Sequence, residues 1–436
     1  MMRRDFPQLL FADERGKVYP FEGLEAAGMK AGRFFKLDPA EFLKLPNFSE
    51  LFMLPGRVPV GLDPQTGRPT PLLSDPYSKE KKKCFAVAAF IPPGHSITYN
   101  SAFEEETGAP MLPLFSYAAC VYYKNEFYAT AIRVDPDVRH EERFMDAGLI
   151  EKNIKSYEAL FPKNRLVPHL ANCATVNACA NAKNFFLGRF EAPVPTSPIC
   201  NAQCQGCISL QPDGRDFPSN QKRIQFVPTP EEIAQLALFH MEKVEEPIVS
   251  FGQGCEGEPT LSGEVIEKAI RLIRQKTSKG SINMNSNASR PLTVGKLFDA
   301  GLNSIRVSLN SVREPYYSLY YQPKGYSLKT VIESIHAAKA RGGFVSLNYL
   351  SMPGFTDTRE EFEALKEFIR AHKVDMIQWR NLNYDPLHYF KDLGLLGEDF
   401  EFLGMRRVLQ ELKVEFPGLM MGYFNPKKET MRAHSR

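Results

Sequence analysis

The sequence has no long apolar run. Its longest, Cys84–Ile91, falls far short of the roughly 20 residues that a membrane-spanning helix needs. The opening stretch MMRRDFPQLL has neither an apolar signal core nor a small-residue cleavage site, so a cytoplasmic protein is expected. Little charge of either sign is left over: 54 Lys+Arg against 51 Asp+Glu gives +3. That near-balance gives no support for a nucleic-acid binder driven by bulk charge. Cysteine is sparse, and eight in 436 residues are too few for a disulfide scaffold. None lies beyond Cys255, there is one tryptophan, and no two of the eight histidines stand four apart. With 43% hydrophobic and 24% charged residues, the chain can bury a core and is not disordered. At about 150 residues per domain, two or three domains are expected.

The pattern changes near residue 185. Residues 1–184 show short β-like runs at Cys84–Ile91, Ala118–Tyr123 and Phe127–Val134, separated by proline- and glycine-bearing loops such as Pro55–Pro71. An α+β domain of unknown role is expected there. From 185 to about 390, apolar runs alternate with amphipathic helical stretches. The expected strands are Phe185–Phe190, Pro247–Gly252, Ser281–Asn285, Ser304–Leu309, Phe344–Leu350 and Asp375–Arg380. Several are apolar on successive residues, as parallel strands buried on both faces are. Thr229 with Pro230 and Glu232 predicts a capped helix start, and Thr358 with Glu361 repeats the spacing. Ser327 is a further helix cap. Residues 391–436 predict a helix near Leu403–Phe416 and a frayed basic tail. Strands alternating with helices predict an α/β fold, a parallel barrel or part of one, with its chemistry at the carboxyl ends of the strands.

The first strand is followed by Cys200, Cys204 and Cys207, a C-x3-C-x2-C loop. Three thiolates so close can grip three irons of a cubane and leave the fourth open. A zinc site with a fourth ligand from elsewhere is the alternative, although zinc loops favour paired C-x2-C units. The nearest further thiols, Cys173 and Cys179, have C-x5-C spacing. After strand two comes Gly252-Gln253-Gly254-Cys255-Glu256-Gly257-Glu258-Pro259. Strand three ends in Asn285-Ser286-Asn287-Ala288, and strand four in Ser308-Leu309-Asn310. Strand five leads into Met352-Pro353-Gly354, and strand six carries Trp379-Arg380.

In order and spacing these motifs resemble the radical S-adenosylmethionine (radical SAM) superfamily, over roughly residues 185–385. The resemblance implies a partial (β/α)6 TIM-like radical SAM barrel behind the amino-terminal α+β domain. It implies a [4Fe–4S] cluster on Cys200, Cys204 and Cys207, with SAM on the open iron. One-electron reduction then cleaves SAM to methionine and a 5′-deoxyadenosyl radical, which takes hydrogen from a substrate. Gly257 and Glu258 match the motif near the SAM ammonium. Ser286 and Asn287 match the turn near its ribose or carboxylate. Ser308 and Asn310 match a SAM-bonding segment, and Arg380 is suited to neutralise a carboxylate. A reducing donor such as flavodoxin or ferredoxin is implied.

Two departures stand out: Glu256 replaces the motif's first glycine, and Gly206 stands where many members carry an aromatic residue. Cys255 is a candidate catalytic thiol at the barrel mouth, or a ligand of a second cluster with Cys173 and Cys179. His169 reads as a packed histidine. The substrate, a peptide, protein or small molecule, is open, and nucleic acid is disfavoured by the charge. The rival reading is a non-catalytic iron–sulfur or zinc protein with a structural or electron-transfer role.

Overall fold

The structure is a computed structural model that describes residues 6–211 and 217–434. Strands between Gln8 and Arg133 build a 13-stranded, antiparallel sheet system around the long strand Val18–Lys30. The stretch expected as a loop, Pro55–Pro71, contributes the paired strands Arg57–Leu62 and Pro69–Pro71. Its Pro and Gly residues hid them: Pro59 and Gly61 sit in a strand that carries Val60 and Leu62 into the core. Three helices follow, Ala147–Leu160, Leu166–Thr175 and Ala180–Phe186. Sheet then helices is the α+β order expected.

The second sheet has seven parallel strands in sequential order: Glu191–Pro193, Ile248–Phe251, Ser281–Ser286, Ser304–Leu309, Phe344–Ser351, Met376–Asn381 and Met420–Gly422. It is a curled, parallel half-barrel, with helices on its outer face. Five of the expected strands lie where the sequence places them. The first does not. Phe185 and Phe186 end a helix, which stops at Gly188 in the left-handed region (φ +63°), and the strand begins at Glu191. A short apolar run such as Phe185-Phe186-Leu187 suits a buried helix and a strand equally. The seventh strand, Met420–Gly422, comes from the expected carboxyl-terminal extension and pairs with Met376–Gln378. The expected frayed tail is helical over Lys428–His434, because Met431 packs with Phe344 and Met376.

The helix starts follow from local chemistry. Thr229 and Glu232 form the reciprocal capping box. Thr358 caps Glu361 N–H, but the Glu361 carboxylate turns inward to Ser311, Arg313 and Tyr349, so that box is half made. The three helices before the barrel share its core: Ile150, Tyr157, Leu170 and Phe185 cluster with Val249 and Ile270. The amino-terminal sheet has separate small cores and docks over the carboxyl ends of strands five and six. Buried Lys30 pairs with Asp357 (2.6 Å), and buried Arg57 with Asp385 (2.9 Å). Asn381 accepts from Ile97 N–H (3.0 Å) and donates to the His95 carbonyl (3.1 Å). No described helix is long and apolar enough to cross a membrane.

One buried histidine sets a pH dependence. His240 Nε2 lies 3.2 Å from the Phe190 carbonyl, and burial pulls its pKa from 6.5 down to about 4. The unfolded chain therefore binds the proton more readily. Stability is complete above pH 6.5 and falls as pH drops towards 4, by about 1.4 kcal/mol per pH unit from this group. His240→Gln is expected to remove one proton from the slope of unfolding free energy between pH 6 and 4.5. Denaturant melts at several pH values read it, and an unchanged slope would refute the assignment.

Candidate functional site

Strand alternation decides what faces the inside of the half-barrel. On strand four, Ile305, Val307 and Leu309 are buried outward, while Arg306 and Ser308 face a cavity of about 530 Å³. On strand six, Arg380 faces the same cavity and Trp379 packs on Tyr349 behind it. Cys200, Cys204, Cys207, Gly257, Glu258, Ser286 and Asn287 also line it. The structure therefore gathers nine of the residues singled out from the sequence around one cavity.

Two do not join them. Asn310 lies one residue past the end of strand four, where the alternation stops, and its Nδ2 donates to the Tyr316 carbonyl and Tyr389 Oη (both 3.2 Å). Cys255 is buried behind its loop, with Sγ 3.3 Å from His169 Nε2, and does not line the cavity. A catalytic thiol must reach the reacting atoms, and this one does not face them. His169, read as a packed residue, touches two thiols: Cys173 Sγ is 3.6 Å from the same nitrogen.

The cysteine loop is held by its neighbours on every side. Gln203 and Gln205 donate backbone N–H to the carbonyls of Tyr321 and Tyr320 (3.0 Å each). Asn201 Oδ1 accepts from Asn287 Nδ2 (2.9 Å), tying the loop to the turn after strand three. Arg223 Nη2 lies 3.7 Å from Cys207 Sγ. Burial pushes the Cys200 thiol up to about 11, and it raises the Cys204 thiol well above its ordinary value too. Thiolates at these positions need a cation to hold their charge, as a metal site supplies. Gly206 has a packing reason. A Cβ there would lie 2.8 Å from Tyr320 Oη, and Tyr320 and Tyr321 already bring aromatic rings to the cavity.

The loop after strand two is stapled by two carboxylates. Glu256, in the place of the motif's first glycine, accepts from the N–H groups of Thr196 (2.7 Å), Ser197 (3.0 Å), Gly252 (2.6 Å) and Gln253 (2.7 Å). The Thr196 hydroxyl adds a fifth bond (3.1 Å). Burial pushes the Glu256 carboxyl up to about 7, and these donors pull it back. Glu258 accepts from Thr260 N–H (3.0 Å), Thr260 Oγ1 (2.6 Å), Ser286 Oγ (2.6 Å) and Asn287 N–H (2.8 Å). Burial raises it as well, against the same kind of donors. Glu256 thus joins strands one and two, and Glu258 joins strands two and three. Gly257 lies between them because a side chain there would overlap the Ile199 carbonyl.

Deeper in the cavity sit two guanidiniums without an ion pair among the described residues. Arg306 donates from Nη1 to Gln378 Oε1 (2.8 Å), while its buried Nε has no partner. Arg380 stacks on the Tyr423 ring (3.8 Å), and its Nε is also unpartnered. Burial, with Arg380 second, pulls Arg306 down to about 9. The Glu191 carboxylate, whose charge favours the Arg306 cation, accepts from Asn425 Nδ2 (2.9 Å). The motif reading passed over Arg306, although the alternation that turns Ser308 inward puts Arg306, two residues earlier, on the same face. It also passed over Phe90, Ile91, Pro92, Pro93 and Ser116, through which the amino-terminal sheet closes the cavity. Phe90, Pro92 and Pro93 also border a second cavity of about 840 Å³ that extends into that sheet.

Residues 194–369 match the family model described as the Radical SAM superfamily. Several solved structures are similar at low identity. HydG, a maturase of the [FeFe]-hydrogenase, is 16% identical over 65% of this chain and 64% of that one, with a TM-score of 0.38. Methylornithine synthase (PylB) is 16% identical over 63% of this chain and 78% of that one, also at 0.38. SuiB of Streptococcus suis, bound to S-adenosylmethionine, is 14% identical over 62% of this chain and 63% of that one, at 0.37. The match spans less than two thirds of the HydG and SuiB chains. The family model spans residues 194–369, less than half of the chain.

Proposed function

We propose that this enzyme, which carries a radical SAM domain at residues 194–369, abstracts hydrogen from an anionic substrate anchored by Arg306 and Arg380. A radical SAM enzyme works with a [4Fe–4S] cluster and SAM, and the donor set here fits them. Cys200, Cys204 and Cys207 would hold the cluster, beside the loop of Gly257 and Glu258 and the turn of Ser286 and Asn287 that would hold SAM. Ser308 borders the same space. Loaded in this way, the site supplies one-electron cleavage of SAM to methionine and a 5′-deoxyadenosyl radical. A low-potential donor of the flavodoxin or ferredoxin kind would deliver the electron.

The chain's own residues supply position, shielding and charge. Glu256 and Glu258 fix three strand-end loops, so the cysteines and the SAM side of the cavity keep one geometry. Phe90, Pro92 and Pro93 cover the mouth and keep water from a reactive radical. The single observation behind the substrate class is the pair of half-buried guanidiniums, each with a buried Nε that has no partner. Buried charges are ordinarily paired, and the one carboxylate lining the cavity among the described residues, Glu258, is committed to four donors. SAM brings a single carboxylate for two arginines, which leaves room for an anionic group on the substrate. Acidic metabolites and acidic peptides both fit, and the 840 Å³ cavity offers them a route past Phe90 and Pro92.

The test divides a deproteinised cell extract on an anion exchanger and measures 5′-deoxyadenosine formed by the reduced, reconstituted enzyme. The retained, anionic fraction is expected to stimulate it. Arg306→Leu and Arg380→Leu should each raise the half-saturating amount of that fraction about tenfold or more, the loss of one charged hydrogen bond. The KM for SAM should move much less. Stimulation carried by the unretained fraction would overturn the substrate class.

A further inference from the structure

Outside the cavity, a second group of soft ligands converges. His169 and Cys173 stand one turn apart on the helix Leu166–Thr175, so their side chains share a face. Cys255 reaches them from the loop after strand two. His169 Nε2 is 3.3 Å from Cys255 Sγ and 3.6 Å from Cys173 Sγ, and the three ligand atoms all lie within 4.8 Å of one another. Cys173 and Cys255 are 1% and 4% exposed, and none of the three lines the cavity of the cysteine loop.

We propose that His169, Cys173 and Cys255 form a mononuclear zinc site, separate from the cluster-binding loop. The spacing carries the argument. Zn–S bonds of about 2.3 Å and Zn–N bonds of about 2.0–2.1 Å in tetrahedral geometry put nitrogen and sulfur about 3.5 Å apart. The two observed separations bracket that value. Ligands of a cubane hold different irons and stand further apart than ligands sharing one ion, so this group fits an ion and not a second cluster. Two thiolates with an imidazole are a donor set that zinc accepts and that magnesium or calcium do not. A closed site needs a fourth ligand. Cys179 is close in the chain, its backbone N–H donating to the Cys173 carbonyl (2.9 Å). Binding exchanges the protons of two thiols for one Zn²⁺, with no change of oxidation state.

The site explains why a cysteine lies inside the SAM-side motif. Cys255 precedes Glu256, and its carbonyl accepts from Ile224 N–H (2.8 Å). An ion shared with the helix Leu166–Thr175 would pin the stapled loop to the helices that precede the barrel. The occupancy of this site is independent of SAM cleavage, so it can stand or fall apart from the proposed reaction.

The test uses the full chain with Cys200, Cys204 and Cys207 all changed to alanine, which removes the cluster loop's thiols. Purified with zinc and dialysed, it is expected to keep one zinc per chain by plasma mass spectrometry. X-ray absorption at the zinc edge should show both sulfur and nitrogen neighbours. His169→Ala or Cys255→Ser added to that background should release the zinc. Should those variants unfold, cobalt replaces zinc in the unvaried triple background, where thiolate-to-cobalt charge-transfer bands are expected. No retained zinc in a folded triple variant, or zinc retained in the chain that also carries Cys173→Ser and Cys255→Ser, would overturn the proposal. So would iron in place of zinc, or a Cys173–Cys255 disulfide in protein purified without oxygen.

Discussion

Cys204→Ala is expected to reduce 5′-deoxyadenosine formation to the assay background. Cys204 is the middle thiol of the loop, it lines the cavity with Cys200 and Cys207, and its carbonyl accepts from Cys207 N–H (3.2 Å). Removing it leaves two thiols for a cluster that needs three, and no other described cysteine lines the cavity to replace it. The variant should bind little iron after anaerobic reconstitution and lose the visible absorption of the cluster. Its far-ultraviolet circular dichroism should match the parent, because the loop's backbone is held by Tyr320 and Tyr321 rather than by metal. Cys84→Ala is the control. Cys84 sits in the amino-terminal domain with its thiol donating to the Leu72 carbonyl (3.1 Å), so iron content and SAM cleavage should stay at parent levels. A Cys204→Ala protein that kept both its cluster and its cleavage activity would refute the assignment of the loop. An iron-loaded parent whose reduced cluster gave no spectroscopic response to SAM would favour an electron-transfer protein instead.

Gly257→Ala is expected to cost about 100-fold in kcat/KM for SAM cleavage, the size of effect that misplacement by an ångström produces. The added Cβ would overlap the Ile199 carbonyl and approach the Cys200 nitrogen at 3.1 Å. Neither is a flexible side chain that can swing away. Two bonds converge on that carbonyl, from Glu258 N–H and Ser197 Oγ (2.9 Å each), so relief must move the cysteine loop, the motif loop or both. The defect is therefore expected in KM for SAM and in cluster retention together. Gly254→Ala, three residues away, meets the end of the Ile208 side chain, which can rotate, and should leave the kinetics close to the parent. Equal behaviour of the two variants would show that the close approach at Gly257 does not position the site.

The two substitutions differ in how visible their reasons are in the sequence. Cys200, Cys204 and Cys207 are legible because a metal cluster needs three thiols within a few residues of each other, and nothing else explains that spacing as well. The glycine at 257 is legible as part of a motif, but its reason, the Ile199 carbonyl, belongs to another loop. Glu256 shows the limit from the other side. In sequence it is a blemish in a glycine motif. In the fold it receives five hydrogen bonds and joins two strands.

Amino-acid order alone determined the cysteine loop, five of the seven strands, the Thr229 capping box and the sequence of motifs at four strand ends. Each is written over a few neighbouring residues by a period, a cap or a ligand spacing. Tertiary structure alone decided that Phe185 and Phe186 end a helix, because a short apolar run fits either element until its packing partners are known. It also recruited Met420–Gly422 as a seventh strand across a gap of nearly forty residues from its neighbour. Asn310 was turned away from the cavity by where strand four stops, and Arg306 was brought near Arg380 by the pairing of strands four, five and six. His169 was set against Cys173 and Cys255 although 86 positions separate it from the second of them. Contacts between residues far apart in the chain depend on how whole elements pack, and no local pattern records that.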